Sequence, residues 1–271
     1  MNGILVTNHF LNTGKFNELH SHIISTAENM GIRIEHKTNL QLATQKVNTD
    51  FVLFWDKDIN LACRLEAEGL PVFNSSSAIE LCDDKARTYL HLLDTVAQPE
   101  TIIAPKTFFR ADMTEFVESA VSILGLPVVF KECFGSFGAQ VHLCSTVEEI
   151  NALVSERPFI LQKFVSESAG SDIRLEVVGS RVVSAVKRHN FDDFRSNVTN
   201  GGTMEAYTPT AKQCEIAIKA CAKLGLDFGG VDILLNNQVC EVNSNAHIIN
   251  IMNAGGIDIA PMIFERILEK I

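Results

Sequence analysis

The sequence predicts an α/β lobe over residues 1–80, followed by two α+β lobes over 81–165 and 166–271. Three observations carry this expectation. The first third alternates short apolar runs with helical patterns. The middle third places two strand patterns around a glycine-containing loop. Beyond residue 172 the signal is strand-rich, broken by a single long amphipathic helix.

In chain order, Gly3–Asn8 (GILVTN) is a short apolar run and residues 15–30 carry a helical apolar pattern. IRIEH and DFVLFW follow as strands, INLACRLEAEG as a helix closing on Gly69, and PVFN as a fourth strand. Such alternation argues for a parallel sheet with crossover helices. Asn74 to Ser77 offer N-caps for one helix running through AIELCDDKARTYLHLL. APKTFFRA then predicts a strand, residues 112–125 a helix ended by Gly125, and PVVFKECF and AQVHLCS two strands. TVEEINALVSE is a helix with Thr146 and Glu149 in capping-box spacing. PFILQKFV is a strand, and DIRLEVVGSRVVSAVKRH a hairpin turning at Gly179-Ser180. After the polar run NFDDFRSNVTNGG come the helix TAKQCEIAIKACAKLG, a hairpin around Asn236-Asn237, and a last helix near 261–270.

The 23 basic and 33 acidic residues give a formal charge of −10, which argues against a sequence-independent grip on nucleic acid. No apolar run reaches the roughly 18 residues of a membrane span, and a signal-peptide pattern is missing, so the expected location is cytoplasmic, away from membranes. The seven cysteines are scattered without a CxxC pair, which argues against structural zinc and a disulfide framework.

Chemistry concentrates in four places. Gly135 and Gly138, with Ser136 between them, allow backbone N–H groups to approach a phosphate, although a plain hairpin turn satisfies the same residues. Lys131 ends an apolar strand, where a buried ammonium needs an anionic partner. Lys85, on an amphipathic helix, reads by itself as a solvated surface lysine. Arg174, Lys187 and Arg188 lie on hairpin strands and Arg195 in the polar run; they suit oxyanions, or salt bridges to Asp172, Glu176, Asp192 or Asp193. Asp232 and Glu241 face each other across the Asn236-Asn237 hairpin, with Asn243 on the same face. Two carboxylates so placed need a proton or a bridging cation, and an oxygen-only set suits Mg²⁺ completed by phosphates.

Taken in order, these pieces resemble the ATP-grasp superfamily and, within it, the RimK-like carboxylate–amine ligases. The residues that carry the resemblance are DDKARTYLHLL, APKTFF, PVVFKECFGSFGAQV, LQKFV, SDIRLEVVGSRVVSAVKRHNFDDFRSNVTNGG, GVDILL, EVNS and GIDIA. The resemblance implies an ATP-grasp fold with its nucleotide cleft between the last two lobes. It implies ATP binding by Lys85, Lys131, Lys187 and the loop Gly135–Ser136–Gly138, with Gln162, Phe164 and Val165 at the adenine. Asp232, Glu241 and Asn243 would hold Mg²⁺, for which Mn²⁺ is a substitute. Arg188, Arg195 and Asn197 would face the γ-phosphate and the reacting carboxylate, and Arg174, Ser244 and His247 would lie toward the acceptor.

The implied reaction phosphorylates a substrate carboxylate and lets an amine displace the phosphate. Substrates would be an amino acid, a peptide or protein C-terminus, or a small carrier protein; a homo-oligomer is left open. A kinase stopping at a phosphorylated product and a non-catalytic nucleotide-binding module are the alternatives. Two departures limit the likeness. Relatives read NxSPG where this chain has Asn243-Ser244-Asn245-Ala246-His247, and Glu132 stands where relatives carry proline.

Overall fold

The computed structural model describes residues 1–11, 13–135, 138–197, 201–245 and 247–271, the side chains of Lys15 and Asp112 excepted. Among these residues the chain forms three sheets. The first lobe comprises β1 (Asn2–Thr7), α1 (Gly14–Asn29), β2 (Arg33–Thr38), α2 (Asn39–Leu42), β3 (Phe51–Trp55), α3 (Ile59–Ala67) and β4 (Val72–Phe73). Its strands are all parallel, in the order β2-β1-β3-β4. The unbroken apolar runs of β1 and β3 follow from helices covering both faces. Ile4, Val6, Val52 and Phe54 pack with Leu61 and Leu65 of α3, while Leu5, Phe51 and Leu53 pack with Leu19 and Ile23 of α1.

The next elements are α4 (Ser76–Asp83), α5 (Lys85–Leu92), β5 (Thr101–Ile103), α6 (Thr114–Leu124), β6 (Val128–Glu132), β7 (Val141–Cys144), α7 (Val147–Leu153) and β8 (Phe159–Lys163). The four strands form an antiparallel sheet, β5-β8-β6-β7, with α6 and α7 on its apolar face. Two expectations fail here. The single helix through residues 78–93 breaks at Asp84, whose backbone is extended and whose carboxylate accepts from the N–H groups of Ala86 and Arg87. A good N-capping residue inside a helical pattern starts a second helix there. The APKTFFRA strand lies too far along, because β5 pairs with β8 over Thr101–Ile103 and ends before Pro105, which has no N–H to continue a ladder.

The last part holds β9 (Ser171–Val178), β10 (Arg181–His189), β11 (Thr203–Ala206), α8 (Ala211–Leu224), β12 (Phe228–Ile233), β13 (Val239–Asn243), α9 (Ile248–Gly255) and α10 (Ala260–Lys270). Its antiparallel sheet runs β11-β10-β9-β12-β13. Strand alternation gives the sheet two unlike faces. Leu175, Val177, Val231, Ile233 and Val242 pack against Ala217, Ala220, Cys221 and Leu224 of α8. The opposite face carries Arg174, Glu176, Arg188, Asp232 and Glu241 and is apolar where Val178 and Phe228 meet α9 and α10 and where Val186 meets Ile251 of α9. Neither β11 nor α9 was expected from the sequence.

The first and last lobes are locked together. Trp55 stacks on Phe228 at 5.6 Å between ring centroids, a pairing worth about 1 kcal/mol beyond its burial. Asn74, completely buried, donates to the carbonyls of Phe228 (2.9 Å) and Ser244 (3.1 Å) and accepts from the N–H groups of Asp227 and Phe228. Every hydrogen-bonding atom of that amide is used. No helix among the described residues is long and apolar enough to cross a membrane.

Candidate active site

A cleft of about 880 Å³ opens between the second and third sheets. Its floor is the polar face of the five-stranded sheet, where two cross-strand rows set the charges. In one row Arg174, Asp232 and Glu241 are successive register partners on β9, β12 and β13; in the next, Arg188 of β10 partners Asp172 of β9.

The acids therefore meet protein cations. Arg174 donates from Nε and Nη2 to the two oxygens of Asp232 at 2.6 and 2.7 Å, and Arg188 reaches Asp232 Oδ2 at 2.9 Å while forking onto Asp172. Burial opposes ionisation of Asp232, but Arg174 and Arg188 outweigh it and hold the carboxyl below its ordinary range. Burial likewise works against the charge on Arg188, which Asp232 and Asp172 more than restore. Glu241 lies 3.6 Å from Lys85 Nζ; burial pushes its carboxyl up, and Lys85 brings it below the usual value.

The break before Lys85 is what delivers that lysine. With Asp84 capping α5, the Lys85 N–H bonds the carbonyl of Cys133 at 3.0 Å, and the side chain enters the cleft. Lys131, only 6% exposed, comes in from β6. Its Nζ donates to Gln162 Oε1 at 2.7 Å and lies 3.6 Å from Cys240 Sγ, so its immediate protein partners are uncharged. Gln162 is oriented in turn by a bond from Nε2 to Thr101 Oγ1.

Phe164, Val165, Asn197, Gly135 and Gly138 line the same cleft. Gly138 has φ of 72°, a left-handed backbone that suits glycine. Its carbonyl accepts from Arg195 Nη1 at 2.7 Å, and the rest of that guanidinium is held by Asp193. Phe194 meets Phe164 edge to face at 6.4 Å, so the Asp193–Arg195 segment joins the glycine loop to the end of β8.

Of the residues singled out from sequence, Lys85, Lys131, Gly135, Gly138, Gln162, Phe164, Val165, Arg188, Arg195, Asn197, Asp232 and Glu241 line one cleft. Lys187 does not: it is registered with Ile173 and Glu205 on the other face of the sheet. Strand alternation admits only one of Lys187 and Arg188 to the cleft. Arg174 lies behind Asp232 as its bonded support. Asn243 pairs in register with Gly230, Ser244 is buried beneath Asn74, and His247 packs against the Phe16 ring at 5.9 Å. Ser136 lies outside the described residues. Glu132 pairs with Arg157 at 3.1 Å, which accounts for the departure at that position as an ion pair. Asp172 and Cys240 were not expected in the cleft; for Asp172 the signal was available, two residues before Arg174 on the same strand face.

One further acid lies in the next row. The Glu176 carboxylate sits over Gly230, where a Cβ would come within 2.8 Å of Oε1, and burial raises it to about 7. For a metal ion, Asp232, Glu241 and Asn243 supply oxygens on a single face, the donor type hard Mg²⁺ takes. Among the described residues no three His, Cys, Asp or Glu side chains could hold a metal by themselves, and Asp232 already accepts from two arginines. The set fits an ion whose remaining ligands come from phosphate oxygens.

Residues 82–267 match the RimK-like ATP-grasp domain family. A protein of Mycoplasma pneumoniae named "Uncharacterized protein MG012 homolog" is 31% identical over 240 residues, covering 82% of this chain and 83% of that protein. A probable alpha-L-glutamate ligase of Trichodesmium erythraeum is 35% identical over 217 residues, covering 76% and 70%. The RimK domain ATP-grasp protein of Sphaerobacter thermophilus shares the fold with a TM-score of 0.75 at 22% identity, over 98% of this chain and 99% of that one. The D-alanine–D-alanine ligase of Bacillus anthracis complexed with ATP superposes with a TM-score of 0.76 at 16% identity, over 99% and 96%. The fold, the cleft and the family match lead to one conclusion: the chain is an enzyme of the RimK-like ATP-grasp ligase family.

Proposed function

We propose that the chain joins a carboxylate to an amine at the expense of ATP, with an acyl phosphate between the two half-reactions, and that it acts on an amino acid or a peptide C-terminus with glutamate as the leading candidate. The observation that carries this reading is the pairing, in one cleft, of Lys85, Lys131 and Arg188 with Asp232 and Glu241. A polyphosphate needs the cations, and two adjacent acids on the same floor suit the divalent ion that accompanies it.

Lys85 and Lys131 neutralise phosphate oxygens, while Gln162, Phe164 and Val165 hold the adenine end. Asp232, Glu241 and Asn243 would hold Mg²⁺, which supplies charge neutralisation at the transferring phosphoryl group. Arg188 faces that same charge, fixed in direction by Asp172. Asn197 lines the cleft beside it. The Gly135–Gly138 loop, held by Arg195, limits water access to a reactive acyl phosphate.

The test is ADP and phosphate release by the purified chain with ATP, Mg²⁺ and a panel of amino acids, with and without hydroxylamine. A hydroxamate and an amide product of the right mass support the reading. A stable phosphoester identifies a kinase, and nucleotide binding without turnover identifies a binding module.

A further inference from the structure

In the segment that departs from the family's NxSPG pattern, Asn245 and His247 lie against the first lobe. Asn245 Nδ2 donates to the main-chain carbonyl of Asp56 at 2.8 Å. Asp56 follows β3, and its Oδ1 accepts from Asn8 Nδ2 at 3.0 Å, just past the end of β1. Two residues on, His247 packs on Phe16, which stacks on His20. His20 stands 5.1 Å from His36, which shares a 2.8 Å hydrogen bond with Thr7. Asn245 and His247 thus meet the carboxyl edge of the parallel sheet, where open α/β folds place their ligands.

Buried polar atoms without protein partners gather at this seam: Asp56 Oδ2, Asn245 Oδ1 and His20 Nδ1. Asp56 is 5% exposed and His20 6%. A buried polar atom left unsatisfied is destabilising, so such atoms call for a reason other than stability. The two oxygens can only accept, and one belongs to a carboxylate. Donors with positive charge complement them; an ammonium brings three N–H groups and the charge together. Burial pushes the Asp56 carboxyl up, a penalty that a bound cation would reverse. Burial, with His36 and His247 beside it, lowers His20 to about 4, so its ring brings no competing charge at neutral pH. Lys57, the cation next in sequence, is bound to Asp83 at 2.7 Å.

We propose that this seam is the subsite for a primary ammonium group carried by the substrate, with Asp56 Oδ2 and Asn245 Oδ1 as its two acceptors. An amine held between these oxygens stays protonated, so it is a recognised group and not the attacking nucleophile. The seam selects amino acids or amino-terminated peptides over simple carboxylic acids. Only the identity of the molecule bearing the ammonium rests on the ligase reading.

The experiment is calorimetric titration of the full chain with L-glutamate and with glutarate, which has the same two carboxylates and no amine, and with L-alanine and propanoate. Each pair is run with and without AMP-PNP and Mg²⁺. The expected result is about tenfold or greater preference for the amine-bearing member of at least one pair, and loss of that preference in Asp56→Asn. Asn245→Ala should weaken the same preference, while AMP-PNP affinity stays unchanged in Asp56→Asn and circular dichroism shows its fold retained. Equal binding within both pairs, or a preference surviving in both variants, overturns the proposal. Failure of AMP-PNP to bind the parent chain strikes the ATP reading instead, since the amine preference is also read without nucleotide.

Discussion

Arg174 and Asp232 are register partners on adjacent antiparallel strands, and their side chains close a two-point fork of 2.6 and 2.7 Å beneath the cleft. Arg188 reaches the same carboxylate from the next row. The floor is therefore a preformed charge network, balanced within the protein itself.

Removing Asp232 alone leaves two buried guanidiniums short of a partner. Asp232→Asn should lower stability by about 3–5 kcal/mol, and Arg174→Met by a similar amount, whereas the double variant should lose less than the sum. Urea denaturation of the three variants measures this. Strict additivity would show that the fork contributes nothing as a pair.

Lys131 and Glu241 both line the cleft, one from β6 and the other from β13. Lys131→Ala and Glu241→Gln should each lower kcat/KM for ATP by about 100-fold or more, because each removes a charge that the proposed reading sets against phosphate or its metal ion. Circular dichroism should show the fold retained. Full activity in both variants removes them from the site.

Arg195 makes its contacts to the glycine loop and to Asp193. Arg195→Ala should therefore raise KM for ATP, by about tenfold, more than it lowers kcat. The reverse split, with kcat falling at unchanged KM, would put the guanidinium on the transferring phosphoryl group.

Glu176 makes a prediction in pH. Its carboxyl is raised from 4.5 to about 7 in the fold, by burial first of all. Below the unfolded value both states hold the proton and the group's contribution is fully present. As pH rises through 4.5 toward 7 the unfolded chain releases its proton first, so stability falls, by about 3 kcal/mol in all. Glu176→Gln should lack this loss and unfold later than the parent at pH of about 8, with the gap closing at about pH 4. A pH-independent difference between the two chains would refute the assignment.

Much of this was legible in the residues. Pairing of the β12–β13 hairpin around the Asn236-Asn237 turn placed Asp232 opposite Glu241 as the structure has it. The turn set the register and burial fixed the face. What faces those acids was not legible in the same way. The sequence argued for a bridging metal ion, whereas Arg174, Arg188 and Lys85 already balance them. Arg174 reaches Asp232 across a sequence separation of 58 residues, which no local pattern encodes. Lys187 and Arg188 look alike as neighbouring cations, and only the strand's two-residue period separates them. The break before Lys85 was hidden because Asp84 sits in an otherwise helical pattern and announces itself only as a cap.

Asn74 gives this architecture a practical consequence. A single side chain of the first lobe spends all its hydrogen bonds on the backbone at Asp227, Phe228 and Ser244 of the last one. The first eighty residues are therefore no interchangeable cassette: grafting them from a relative with a different residue there would leave four main-chain groups stranded at the junction. Chimeras intended to swap substrate preference should cross over before Asn74 or carry the 227–244 segment with it, and libraries built without that rule should be dominated by insoluble members.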